Sequence, residues 1–277
     1  MRRIFKEDQL EDQINKDGFV VVPLLNEQEI QQIKEIFDSL DAAVGEDFYL
    51  SIWSDKEDYK TDTHEKIVKI VAPKVLPLLE NFKPVVSNFA VKYPGGNSEF
   101  DLHQGVNFVD ETNGQRSITV WIPLQDVFPE NGNMQIVRAT HKFFDQDVRS
   151  QHYQSPYSEI KPHIKKHYVE NVPMKAGEAW IFTHRLLHCS PTNLTDKVRI
   201  ATLNVYVPSE SPVISYYKDN NDIMGKEVEM LEYTEDNYYK QNVKNKPNVS
   251  GVVSRSKAIE KHYKLSEKEF DRLYESY

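Results

Sequence analysis

The chain reads as a mainly β protein, a sandwich or barrel built from short strands and wrapped by helices toward both ends. Two observations carry this. From residue 84 onward, short β-branched and aromatic runs alternate with Gly, Pro and Asn punctuation, as in VVSNFAVKY, PGGNSE, FDLHQGVNFV, DETNG and SITVWIPL. Ahead of that region, apolar residues recur instead at helical spacing. The 277 residues fit a single β domain of large size, and 39% apolar residues with 11% aromatic supply a substantial core.

GFVVVPLL (18–25) is β-branched and predicts the first strand. Asn26 then supplies an N-cap, with Glu29 at the capping-box position, and Ile30, Ile33, Phe37 and Leu40 predict an amphipathic helix over about 27–40. HEKIVKIVAPKVLPLLENF (64–82) repeats the apolar helical pattern, and Pro73 and Pro77 predict a break or kink in it. The strand-rich region continues through MQIVRA, MKAGEAWIFT and VRIATLNVYV. Residues 145–172 interrupt it with a polar, Tyr-, His- and Lys-rich stretch that predicts an inserted lid or long loop. Beyond Pro208 the chain is rich in Tyr, Asn, Lys and Glu; 209–277 is expected to form a helical extension, with a helix at about 255–275. A core over about 18–208 within one domain, 1–277, is the simplest organisation.

The formal charge of −9 opposes sequence-independent nucleic-acid binding, which depends on Lys and Arg neutralising phosphates, and opposes docking to anionic membranes. Cys189 is the single cysteine, so no intrachain disulfide can form. The first residues, MRRIFKEDQLEDQ, lack the apolar centre of a secretory signal, and no run approaches the ~18 apolar residues of a membrane span. A cytoplasmic location is expected.

Three residues in strand-rich context carry the chemistry: His103 in FDLHQGVNFV, His188 in IFTHRLLHCSPTN, and Arg199 eleven positions later. Two imidazoles from separate strands can grip one divalent metal, and an Arg can hold a carboxylate bidentately. Two histidines with a carboxylate and open positions make the facial triad of non-haem Fe(II) oxygenases. The carboxylate is missing: two residues after His103 stands Gly105.

Here the sequence resembles the phytanoyl-CoA dioxygenase-like branch of the Fe(II)/2-oxoglutarate oxygenases. DGFVVVPLL, LHQGVNFVDE, RSITVWIPLQDV, ENGNMQIVRATHK and GEAWIFTHRLLHCSPTNLTDKVRIA carry the likeness, in the family's order, over about 18–208. The last block is the most specific, matching G-D-x-x-x-F…H-x-S-x-x-N…R. The resemblance implies a double-stranded β-helix of jelly-roll or cupin type. It implies that His103 and His188 ligate Fe(II), that Arg199 pairs with 2-oxoglutarate, and that Ser190 and Trp121 line the cosubstrate pocket, with Ser117 on the same strand face as Trp121.

The departure is at Gly105, where the family's H-Q-D-W pattern carries its Asp ligand, and at Val106 in place of the Trp. Within the superfamily, Gly or Ala at that position marks the radical halogenases. Loss of the carboxylate opens a coordination position and removes a negative charge, and chloride or bromide restores both. The implied reaction, with O₂ and an Fe(IV)-oxo intermediate, replaces an unactivated aliphatic C–H by carbon–halogen. Asn107 is a candidate to orient the halide.

Two other outcomes stay open. Gly105 alone also suits a β-bulge, or a protein on this fold that binds without catalysing. A hydroxylase would need a substitute ligand: Asp101, on the same strand face as His103 by period two, or Asp110 in the next turn. His184, four residues before His188, is expected outside the ligand set, behind it or exposed; KPHIKKH (161–167) is expected as a solvated face able to touch an anionic group; Cys189 is expected as a buried thiol. The expected substrate is a small free metabolite, polar like an amino acid or nucleotide. A carrier-protein-tethered one is disfavoured because carriers and this chain are both acidic.

Overall fold

The computed structural model describes residues 1–277 except 41–46, 220, 223, 235–236 and 241–250. In chain order the elements are α1 (Asp8–Asp17), β1 (Phe19–Pro23), α2 (Glu27–Ser39), β2 (Phe48–Leu50), α3 (Glu57–Val75), β3 (Phe82–Lys92), β4 (Phe100–His103), β5 (Ile118–Pro123) and β6 (Met134–Val137). Next come α4 (Lys161–His167), β7 (Glu170–Val172), β8 (Glu178–Thr183), β9 (Leu187–Ser190), β10 (Arg199–Pro208), β11 (Val213–Tyr217), β12 (Glu227–Tyr233), β13 (Val252–Ile259) and α5 (Glu267–Glu275).

Two antiparallel sheets build the body: a six-stranded sheet in the order β1-β8-β5-β10-β3-β2 and a four-stranded sheet in the order β4-β9-β6-β7. Together they make the expected jelly roll. Period two along each strand decides what faces the space between the sheets. On β5, Val120 and Ile122 join the core shared with the N-terminal helices, while Thr119 and Trp121 face inward. On β10, Arg199, Leu203 and Val205 face inward; on β9, His188 and Ser190 do, while Leu187 and Cys189 pack into a separate outer cluster.

The helices cover the outer face of the large sheet. Ile33 of α2 and Ile67, Val71 and Val75 of α3 are fully buried against Phe89, Val120 and Ile181. The predicted capping box is present, with Asn26 Oδ1 accepting from Glu29 N at 2.9 Å and Glu29 Oε2 accepting from Asn26 N at 3.0 Å. The predicted break in the second helix is absent: α3 begins earlier, at Glu57, and runs through Pro73 to Val75. Pro73 lies in the last turn, where losing one backbone donor is outweighed by packing of the apolar face, and Pro77 falls beyond the helix. The short helix α1 turns Leu10 and Ile14, one turn apart, toward the same core. It ends at Gly18, whose φ of +89° is the left-handed conformation that glycine adopts without strain.

One expectation is corrected in the C-terminal region. The region after Pro208 is not a helical extension: β11, β12 and β13 form a three-stranded antiparallel sheet, and the helix α5 is confined to Glu267–Glu275. The stretch from 252 to 259 has helix-compatible Lys, Arg and Ser, yet it pairs along its length with β12, so sheet pairing overrides local preference. Residues 145–172, expected as an inserted lid or long loop, pack into the body, and Gln151 and His152 line the cavity between the sheets. Gln146, Arg149, Ser150 and Tyr157 are buried, and β7 closes the small sheet against β6. Among the described residues, no helix is long and apolar enough to cross a membrane.

Candidate active site

A cavity of about 670 Å³ lies between the two sheets and is walled on one side by the three-stranded C-terminal sheet. His103 of β4 and His188 of β9 are directly paired across the antiparallel ladder, and their ring centroids lie 4.1 Å apart. Each Nδ1 lies 2.8 Å from a backbone carbonyl oxygen two residues back, that of Asp101 for His103 and that of Leu186 for His188. A carbonyl can only accept, so each ring carries its proton on Nδ1 and keeps a lone pair on Nε2. Burial lowers the His103 pKa to about 4 and pushes that of His188 well below the usual range, with the His103 charge adding to it. Both imidazoles are therefore neutral near pH 7, the form a metal requires.

The third position carries no side chain. Gly105 N donates to His184 O at 2.8 Å, and Arg149 Nε donates to Gly105 O at 2.8 Å, so the backbone here is held from two sides. Gly105 does not lie in the left-handed region; its constraint is space, since an added Cβ would lie 3.1 Å from both Cβ and Cδ2 of His184. His184 is buried, neither a metal-facing partner of His188 nor exposed. Its Nδ1 meets Ser117 Oγ at 2.6 Å and its Nε2 meets Thr119 Oγ1 at 2.7 Å. Burial lowers its pKa to about 3.

Both substitute carboxylates lie elsewhere. Asp101 is exposed, its carboxylate ion-paired with Lys161 and Lys165 outside the barrel. The register shift in β4 between Phe100 and His103 breaks the simple alternation that would have aimed it inward. Asp110 Oδ1 accepts from Thr112 N and Thr112 Oγ1. Among the described residues, no acidic side chain lines the cavity and no three His, Cys, Asp or Glu side chains converge as a metal set.

Arg199 is the cavity's buried cation. Its Nη1 donates to Ala90 O at 3.1 Å, its Nε has no partner, and no carboxylate pairs with it among the described residues. Burial pulls its pKa down to about 9, and its guanidinium lies 5.4 Å from the Trp121 ring centroid. An incompletely bonded buried guanidinium is costly in isolation and suits an incoming carboxylate. Ser190 also lines the cavity, with Oγ donating to Gly132 O at 3.0 Å. Beneath them Lys92 is fully buried and donates to the carbonyls of Ser98, Ser190 and Pro191.

Two sequence-predicted residues fall outside the cavity. Asn107 is turned toward the 147–149 segment, accepting from Arg149 N at 2.8 Å and donating to Asp147 O at 2.9 Å, so it does not face the vacated position. Its strand had already ended at His103. Ser117 shares the face of Trp121 but reaches only His184. The 161–167 helix also stays outside, with Lys165 paired to Glu99 and Asp101, and His163 to Asp271. Cys189 is buried, its thiol pushed up to about 12, and it faces away from the cavity.

Sequence reasoning missed Arg149. Its side chain is fully buried and bridges Gly105 O, Gln146 O and both carboxylate oxygens of Glu111. Nothing in the local pattern of 145–172 marks it. The His184 role had a signal in the four-residue spacing to His188, but only packing shows what it touches.

A jelly roll with two paired, neutral histidines and a buried arginine in its interior defines a class of β-barrel metal oxygenase scaffold. The chain belongs to the phytanoyl-CoA dioxygenase (PhyH) family, whose model matches residues 14–201; this is a family of Fe(II)- and 2-oxoglutarate-dependent oxygenases. No curated protein sequence matches the chain. Solved structures that it resembles include SnoK, a non-haem alpha-ketoglutarate-dependent carbocyclase from nogalamycin biosynthesis, at 20% identity over 75% of this chain and 86% of that one, with a TM-score of 0.53. The epimerase SnoN, in complex with Fe³⁺, alpha-ketoglutarate and nogalamycin RO, matches at 20% identity over 74% and 85%, TM-score 0.54. HygX from Streptomyces hygroscopicus, with nickel, 2-oxoglutarate and hygromycin B bound, matches at 14% identity over 74% and 88%, TM-score 0.54. At these identities the likeness is one of fold.

Proposed function

We propose that the protein is a non-haem Fe(II)- and 2-oxoglutarate-dependent halogenase. The observation that carries the proposal is a cavity with two neutral histidines, an arginine and no carboxylate, in which the third ligand position is a glycine walled by His184. His103 and His188 would hold the iron through Nε2, and Arg199 would take the distal carboxylate of 2-oxoglutarate, supplying its missing partner. When bound, iron with 2-oxoglutarate and O₂ supplies the oxidising power to remove hydrogen from an unactivated C–H.

The chain's own residues choose the anion. With no acid in the described wall, no side chain would offset the charge of a bound divalent metal at the vacated position, so an anion would be favoured over water there. The hydroxyls of Ser117 and Thr119 fix the His184 ring against Gly105, which keeps a protein carboxylate out. The balanced reaction consumes R–H, chloride or bromide, 2-oxoglutarate, O₂ and a proton, and releases R–halide, succinate, CO₂ and water. The C–H bond breaks, the carbon–halogen bond forms, and O₂ is the oxidant.

The test is anaerobic. The protein is mixed with Fe(II) and 2-oxoglutarate, and the visible charge-transfer band is recorded with and without chloride or bromide. A band that forms and shifts with halide supports the proposal. A band indifferent to halide points to hydroxylation, and no band at all points to a protein that binds without catalysing.

A further inference from the structure

The wall of the cavity points to its substrate. Two aromatic runs lead away from the histidines. One passes from His103 to Phe100, with centroids 4.5 Å apart, then to Phe48 at 4.8 Å and Trp53 at 5.7 Å. The other passes from His184 to Phe108 at 4.9 Å, then to Tyr238 at 5.1 Å and Tyr233 at 5.3 Å. The first comes from β4, β2 and the turn after it; the second draws on the three-stranded C-terminal sheet and the segment after β12.

Several polar groups between these runs are already engaged, while Gln104 Oε1 is a buried neutral acceptor without a partner. Gln104 Nε2 donates to Arg185 O at 2.6 Å, and Gln151 Nε2 donates to Lys218 O at 3.0 Å. Ser215 Oγ lies 2.8 Å from Tyr233 Oη, and Thr119 holds His184. Among the described lining residues, Arg199 is the cation outside the histidines, and no Lys, Asp or Glu is present. Once Arg199 is taken by 2-oxoglutarate, a phosphate or an amino-acid zwitterion would find no Lys, second Arg, Asp or Glu among the described lining residues to replace its hydration. Aromatic walls instead reward flat apolar surface by stacking.

We propose that the substrate is a neutral, largely apolar, ring-containing molecule held between the Phe48–Trp53 and Phe108–Tyr238 runs. This replaces the polar amino acid or nucleotide expected from the sequence. It rests on the proposed function in one respect, that Arg199 is consumed by the cosubstrate. The first run starts at His103, a proposed iron ligand, so a ring held along it would lie beside the metal position.

The experiment uses N-phenyl-1-naphthylamine, a neutral fluorescent arylamine, on the full chain without iron or halide, and with and without 2-oxoglutarate. The expected result is a saturable fluorescence rise in the micromolar range. Leu50→Lys, at a β2 residue that lines the cavity beside Phe48, and Phe108→Ala in the other wall should each weaken it at least tenfold. Neither should change 2-oxoglutarate affinity, measured separately by calorimetry. AMP and L-leucine at millimolar concentration should not displace the probe. Displacement by either, or probe binding indifferent to both substitutions, would overturn the proposal. Probe binding as expected beside an iron band indifferent to halide would sink the halogenase reading and leave the substrate class standing. A halide-responsive band with no probe binding would do the reverse.

Discussion

A Cβ on Gly105 would press within 3.1 Å of His184, tighter than ordinary contact, and the carbonyl of the same residue accepts the Gly105 amide at 2.8 Å. The ring cannot easily give way, because both of its nitrogens are hydrogen-bonded and Phe108 packs 4.9 Å from its centroid. The glycine and the histidine thus form one unit. Gly105→Asp is expected to destabilise the fold by about 1–3 kcal/mol through overpacking and to leave Fe(II) affinity within a few-fold of the parent. Gly105→Asp combined with His184→Ala is expected to recover stability and to tighten iron at least tenfold in the absence of halide. Thermal unfolding and anaerobic iron titration measure both. A single Gly105→Asp variant that binds iron tightly and stays stable would show that the ring is not the barrier.

Arg199 has an uncompensated buried charge, so its replacement should act oppositely on the free and the loaded protein. Arg199→Met is expected to leave the free protein as stable or more so, since a buried charge without a carboxylate is a cost. The same variant should weaken 2-oxoglutarate by a factor of at least a hundred, the loss expected for removing a charge-assisted bidentate partner worth about 3 kcal/mol. Urea unfolding and calorimetric titration separate the two effects.

The Arg149–Glu111 pair holds the glycine segment from behind, with both side chains almost fully buried and Arg149 Nη2 2.8 Å from Glu111 Oε1. Arg149→Met is expected to cost about 3–5 kcal/mol because it leaves the buried Glu111 carboxylate with only the longer Arg185 contact, at 3.6 Å, among its described ion pairs. Adding Glu111→Gln should return a large part of that loss. Equal additive losses in the double-mutant cycle would mean that the two residues act separately.

Acid should weaken the fold before carboxylates titrate. Burial holds His141 at about 4, His103 at about 4 and His184 at about 3, all below the ordinary value of 6.5. The unfolded chain therefore binds more protons between about pH 6.5 and 4, and stability falls as pH falls through that window. Above it the contribution is fully present. His141 alone accounts for about 3 kcal/mol across the window, its pKa being lowered from 6.5 to about 4. Urea unfolding at pH 7.5 and 5.0 should show the loss, and His141→Gln should reduce the difference between the two pH values. An unfolding free energy that does not change between them would contradict neutral burial of these rings.

The linear pattern was enough for the jelly roll and for most of the inner site. Strand alternation and motif order place His103, His188, Gly105, Arg199, Ser190 and Trp121, and all six line one cavity. Most of them sit on strands whose inward or outward direction is set by period two, a property of local sequence. Where alternation breaks, the reading fails. Asp101 turns outward at the irregularity in β4, and Asn107 turns toward Arg149 because its strand has already ended.

Contacts between distant segments set the rest. The N-terminal part of the helix expected near 255–275 is strand because β12 lies beside it, and the expected lid is anchored by Arg149 reaching Gly105 across 44 positions. That residue 105 has no carboxylate is legible in the linear chain. That the His184 ring packs against that position, and that aromatic side chains from both ends of the chain wall the same cavity, depends on packing between segments far apart in sequence, which no local propensity encodes.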